Sequence, residues 1–194
     1  MRTRITLKYL NNINACEGGI KYYNMLGETN LFKLIEKGIE DSKFDYCNWL
    51  IARCMSRKQC LMYALHAAES VLHLYEDKYP NDNRPRLAIE SVKAVIRRDN
   101  KKNRVAAYDA GYAGGYAAWS TGHASASRAA GAAARAAGAA ARAAGYAADT
   151  ATWAYAAAAC TAGADAGWDT RDARADHMTK ILRYGMEMMK GAKQ

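Results

Sequence analysis

His66, Glu69 and His73 stand three and four residues apart, a spacing that on a helix sets two imidazoles and a carboxylate on one face. Neutral His nitrogens with a carboxylate oxygen are ligands for a divalent ion such as zinc. No fourth ligand is identifiable, and the plainer reading is a solvated polar face with one i,i+4 Glu–His pair. No metal or cofactor is therefore expected. The five cysteines, Cys16, Cys47, Cys54, Cys60 and Cys160, are an odd number without C-x-x-C spacing. They read as reduced, packed thiols in a cytoplasm, with no activating neighbour to make one a nucleophile. A Gly-rich phosphate loop, a nucleophile elbow and an H-E-x-x-H helix are all missing from the sequence. A binder is expected rather than an enzyme.

Charge supplies the next candidates. The chain carries +9 formally, with nineteen Lys/Arg against twelve Asp/Glu up to Arg104 and nine against seven beyond it. The densest run is Lys93, Arg97, Arg98, Lys101, Lys102 and Arg104, opposed by Asp99 alone. Such a cluster steers anionic partners, nucleic acid included. The alternative is a solvated helix C-terminus and linker, and no aromatic side chain is interleaved in the run to stack bases. Arg128, Arg135 and Arg142 recur every seven residues in a tract otherwise made of Ala and Gly. They form a stripe that grips phosphates or carboxylates, or one that only keeps the helix soluble. Arg84 and Arg86 complete the candidate binding set. Arg53, Glu69, Asp82 and Glu90 read as a polar network, in which Glu69, Glu76 and Glu90 pair with Arg53, Arg84 or Arg86 to fix a helix-to-helix turn.

The elements that must hold these residues read as helices throughout: two prolines, few β-branched runs and much Ala give an all-α chain. Asn14 to Glu17 looks like a capping box ahead of a helix ending at Gly27. Thr29 is the expected cap of a helix through Leu31, Leu34 and Ile35 that stops near Gly38. Phe44, Trp49, Leu50 and Cys54 supply the apolar content of a segment from about Ser42 to Met55. Ser56-x-x-Gln59 opens the strongest helix, with Leu61, Ala64, Leu65, Ala68, Val71, Leu72 and Tyr75 as its apolar stripe. Pro85 fits the first turn of the helix after it, through Ile89, Val92, Val95 and Ile96. Composition then shifts. Residues 1–102 form one helical part, and residues 103–194 form an Ala/Gly-rich part closed by an amphipathic helix with Met178, Ile181, Leu182 and Met189 on one side. Both are expected to pack as one domain, a compact helical array with closely packed Ala/Gly-rich helices in its C-terminal half. Breaks are expected at Ser120 to Gly122 and at Gly163 to Gly167. Tyr108, Tyr112, Tyr116, Trp119, Tyr146, Trp153 and Tyr155 are the residues available to fill gaps between Ala faces. No membrane span and no secretory leader is expected.

The run from Ala64 to Glu90, with its A-A-E-x-V-L helix, its acidic-residue-to-Tyr-Pro turn, the Asp-x-Arg-Pro-Arg motif at Asp82, Arg84, Pro85 and Arg86, and Glu90 beyond, resembles the Ala-rich immunity proteins. These are the fifth immunity family of bacterial polymorphic toxin systems, which has phage-encoded relatives. The resemblance implies an all-helical, non-enzymatic cytoplasmic inhibitor that neutralises a toxin or a host defence protein, as in phage anti-defence. It transfers no binding residue. A charge of +9 departs from the acidic surface expected of a protector against a basic nuclease. It calls for an acidic antagonist or for another target. Nucleic-acid or nucleotide binding through the basic stripes is the alternative, and self-assembly into a homo-oligomer through Ala faces is a further one.

Overall fold

The computed structural model describes residues 3–77, 79–120 and 170–191, with side chains not described at 118–120 and 170–173. The described residues are all-α, without a strand beyond one isolated bridge between Arg4 and Asn30. They form eight helices: α1 Leu7–Asn12, α2 Glu17–Leu26, α3 Leu31–Glu40, α4 Phe44–Cys54, α5 Arg57–Glu76, α6 Arg84–Arg97, α7 Lys101–Ser120 and α8 Thr170–Gly191. Each packs on its neighbours in the order α3, α4, α8, α5, α6, α7. The last helix in sequence thus lies between α4 and α5. The Arg128, Arg135 and Arg142 stripe, Tyr146, Trp153, Tyr155, Cys160 and the expected breaks at 121–122 and 163–167 lie outside the described residues.

Local chemistry sets most boundaries, in places a few residues from where the sequence alone puts them. Cys16 rather than Asn14 caps α2: its Sγ accepts from Gly19 N at 3.4 Å, while Asn14 sits in the left-handed region at φ 56°. Asn30 rather than Thr29 caps α3, its Oδ1 taking the Phe32 and Lys33 amides. Gly38 lies inside α3 instead of ending it. It is buried against the Cys47 thiol, where a Cβ would clash, so the glycine serves a close helix crossing. Gly27, at φ 62°, ends α2 in the left-handed conformation that costs other L residues energy. The Ser56–Gln59 capping box forms in full, and Pro85 sits in the first turn of α6. On α7 Asn100 Oδ1 accepts from Asn103 N at 2.8 Å. The helix therefore starts at Lys101, and the composition boundary at 102/103 falls within its first turn.

The core forms where α8 enters. Met178, Ile181, Leu182, Met186 and Met189 are buried from α8, and Cys60, Leu61, Tyr63, Ala64, Ala67, Ala68, Val71, Leu72 and Tyr75 from α5. Leu65 is only half-buried, and Tyr63, off the expected stripe, is fully enclosed. The two helices run antiparallel: Gln59 Nε2 donates to Met188 O at 3.3 Å near one end, and His177 reaches Ser70 nearer the other. Tyr63 donates its hydroxyl to Oδ1 of Asn48, a buried polar residue of α4, at 2.9 Å. Each polar group thereby satisfies the other out of reach of water. On α4 the enclosed face is Cys47, Asn48, Ile51 and Ala52, leaving Trp49 and Leu50 half-buried.

At Gly185 α8 comes close to both α5 and α4. A Cβ there would lie 2.8 Å from Tyr63 Cε2 and 3.1 Å from Ile51 Cγ2. Helix propensity alone makes Gly→Ala stabilising by ~1 kcal/mol. Gly185→Ala is instead expected to destabilise by about 1–3 kcal/mol through overpacking against a ring with no room to move, read as a lower urea midpoint at unchanged m-value.

Candidate functional site

The histidine face does not gather as a metal site. His66 stacks on Tyr184 of α8 with ring centroids 3.8 Å apart and planes 16° from parallel. Glu69 pairs with Lys93 of α6 at 2.9 Å, and His73 is exposed. Among the described residues no three His, Cys, Asp or Glu side chains are placed to hold an ion. A histidine that the sequence did not single out, His177, lies 3.1 Å from Ser70 Oγ. Because that hydroxyl already donates to Ala67 O at 2.8 Å, it accepts from His177, which places a proton on Nε2. Burial pushes the pKa of both His66 and His177 down. His66, Glu69, Lys93, Arg97 and Tyr184 line a cleft of about 320 Å³ between α5, α6 and α8.

The polar network is real but has different partners. Lys93 bridges Glu69 and Glu90, at 2.9 and 2.8 Å, where arginines were expected. Arg53 lies over the Trp49 ring at 5.5 Å. Arg84 grips Asp82 with two hydrogen bonds of 2.8 and 2.6 Å, and Tyr75 donates to the same carboxylate at 2.6 Å. The Arg84 bonds and Tyr75 hold Asp82 well below the usual carboxylate range. Arg86 forms the same two-pronged contact with Glu76, as expected for that glutamate. Arg84 and Arg86 thus brace the α5–α6 turn rather than stand ready for a partner.

Four other cations do stand ready. Within the basic run, Lys93 is occupied as above. Asp99 takes Arg104 at 3.1 Å and Arg57 at 2.8 Å, pinning the α6–α7 turn to the start of α5. Arg97, Arg98, Lys101 and Lys102 are exposed at that turn and form no ion pair among the described residues. Alongside them runs a surface that faces outward where the sequence predicts burial. Tyr108, Tyr112 and Tyr116 do not fill gaps but are 52, 58 and 57 % exposed, with Val105 exposed beside them. At 100° per residue, Lys101, Val105, Tyr108, Tyr112 and Tyr116 fall on one stripe of α7. The buried residues Ala107, Gly111, Gly114 and Ala117 form a seam on the other side. The Tyr112 and Tyr116 rings are 6.2 Å apart and tilted by 35°. A basic end continuous with an aromatic ladder is a surface suited to binding.

Cys47 and Cys60 are buried thiols pushed up to about 12 and about 11 by desolvation, hence unreactive at neutral pH. Cys16 is exposed, against the expectation of burial. No described helix is long and apolar enough to cross a membrane. No family model, curated protein or solved structure matches the chain.

The depressed histidines make stability pH-dependent. An unfolded His titrates near 6.5, and a lower folded pKa means that the unfolded chain binds more protons below that value. Stability is therefore at its full level above about pH 6.5 and falls as the pH drops toward the folded values. Urea midpoints measured from pH 7.5 to 5 are expected to decline, and His66→Gln/His177→Gln to flatten the decline.

Proposed function

We propose that the protein is a non-enzymatic cytoplasmic inhibitor that neutralises an acidic protein partner, docking it on the α6–α7 surface. The observation that carries this reading is the nearness of four exposed cations at the α6–α7 turn, Arg97, Arg98, Lys101 and Lys102, none in an ion pair among the described residues, to three exposed tyrosines of α7 that share a stripe with Lys101. Tyr and Arg are the side chains enriched at protein interface hot spots. Complementary charge supplies orientation and a fast encounter. The immunity-type role rests on the motif from Ala64 to Glu90, whose Asp82, Arg84 and Arg86 build the turn that sets α6 against α5. A toxin or a host defence component with an acidic face fits this surface. A basic nuclease does not.

One observation favours a second reading, a single-stranded nucleic acid: aromatic rings beside lysines are also how sequence-tolerant strand binding is built.

Pull-down from a host lysate is expected to return a stoichiometric protein. Tyr108→Ala/Tyr112→Ala/Tyr116→Ala is expected to weaken that complex by about 100-fold or more, and Arg97→Glu/Arg98→Glu/Lys101→Glu/Lys102→Glu to slow its association. The Tyr108 and Tyr112 changes are each expected to leave folding stability within about 0.5 kcal/mol, as exposed positions do. Recovery of nucleic acid alone, in a complex that dissolves steeply with salt, would replace the protein reading with the second one.

A further inference from the structure

We infer that the N-terminal helices hold a binding site for a small organic ammonium compound with an aryl or alkyl body. A half-enclosed cavity of about 380 Å³ lies between the start of α2, α3 and α4, within the size range of small-molecule sites. Its wall includes the rings of Tyr22, Tyr23, Tyr46 and Trp49, and the rest is largely apolar. Asp45 is the single residue of its lining that is charged at neutral pH. In a chain of net charge +9, this cavity is therefore lined by one acidic residue, four aromatic ones and no cation. Arg53, over Trp49 at 5.5 Å, does not line it. Ring faces with a nearby carboxylate are how ammonium groups are recognised once water is excluded.

The wall is also held in place. The Tyr22 hydroxyl donates to Asp41 at 2.7 Å, and the Tyr22 and Tyr46 rings stand 6.0 Å apart, tilted by 47°. Backbone approaches Tyr46 so closely at Gly18 that a Cβ there would lie 2.6 Å from the hydroxyl. Tyr23 is tied to the N-terminal segment through Ile5 O at 3.1 Å. Rings fixed by their own contacts pay little ordering entropy when a ligand arrives. A neutral hydrocarbon would fill the same volume but leave Asp45 without a counter-charge, and an anion would be repelled by it.

Calorimetric titration of the full chain with phenyltrimethylammonium, its neutral isostere tert-butylbenzene and phenylacetate tests this. Saturable one-to-one binding is expected for the ammonium, tighter than the isostere by about tenfold, with no binding of phenylacetate. Asp45→Asn, at an exposed first-turn position of α4, is expected to abolish the preference over the isostere. Ala15→Phe, which fills the cavity, is expected to abolish binding of both. No saturable binding of the ammonium, equal binding of the isostere, or an unchanged preference in Asp45→Asn would each overturn the assignment. Should Ala15→Phe fail to fold, the Asp45→Asn result decides.

Discussion

The contact of Gly185 with the Tyr63 ring is the constraint to which the other helices adjust. Tyr63 brings a hydroxyl into the core, and that hydroxyl is tolerable only because Asn48 of α4 accepts from it. Closing the pair off from solvent requires a third surface, which α8 supplies by lying between α4 and α5. A side chain at position 185 would hold α8 away. The methionines that α8 buries, Met178, Met186 and Met189, are unbranched and adapt to the irregular gap between two helices already in place. On the far side of α5, ion pairs on Lys93 and on Asp99 fix α6 and the start of α7. The surface proposed for binding is thus oriented by the same frame.

That frame separates two kinds of arginine and lysine. Where a carboxylate from a neighbouring helix or turn is in reach, as for Arg84, Arg86 and Lys93, the cation braces the fold. Where the chain turns outward between α6 and α7, cations outnumber the single acid, and Arg97, Arg98, Lys101 and Lys102 form no ion pair among the described residues. Exposed surface pairs add little stability on average. These four therefore contribute chiefly to the field around the molecule, which is what a charged partner meets first.

Legibility in the sequence followed the range of the interactions. The Ser56 capping box, the Pro85 start and the buried face of α8 were readable because each is settled within one or two turns of helix. Cys16 displaced Asn14 as a cap because the bend at Asn14 lets the thiol reach the Gly19 amide, a backbone fact that composition does not carry. Tyr63 lay off the apolar stripe of α5 because its cover comes from α8, more than a hundred residues away in the chain. Lys93 took the place of the expected arginines through the register of α6 on α5, which periodicity does not encode. The tyrosines of α7 show their i, i+4, i+8 spacing plainly in the sequence, but not the direction they face. Large aromatic residues are ordinarily enclosed. Here the enclosed face belongs to Ala107, Gly111, Gly114 and Ala117, and two faces of one helix cannot both turn inward. The four-ring cavity was not legible at all, since Tyr22 and Tyr23 come from α2 and Tyr46 and Trp49 from α4, which meet where Gly18 lies against Tyr46.

The position of α8 bears on the order in which the molecule is made. Emerging from the ribosome, α4 and α5 lack the cover that α8 gives Tyr63 and its apolar neighbours until the residues around 178–189 have been synthesised. Contacts of such long sequence separation slow folding, and exposed apolar surface in an incomplete chain is what chaperones engage and aggregation exploits. The protein's dependence on its last described helix is therefore a matter of timing as well as of packing.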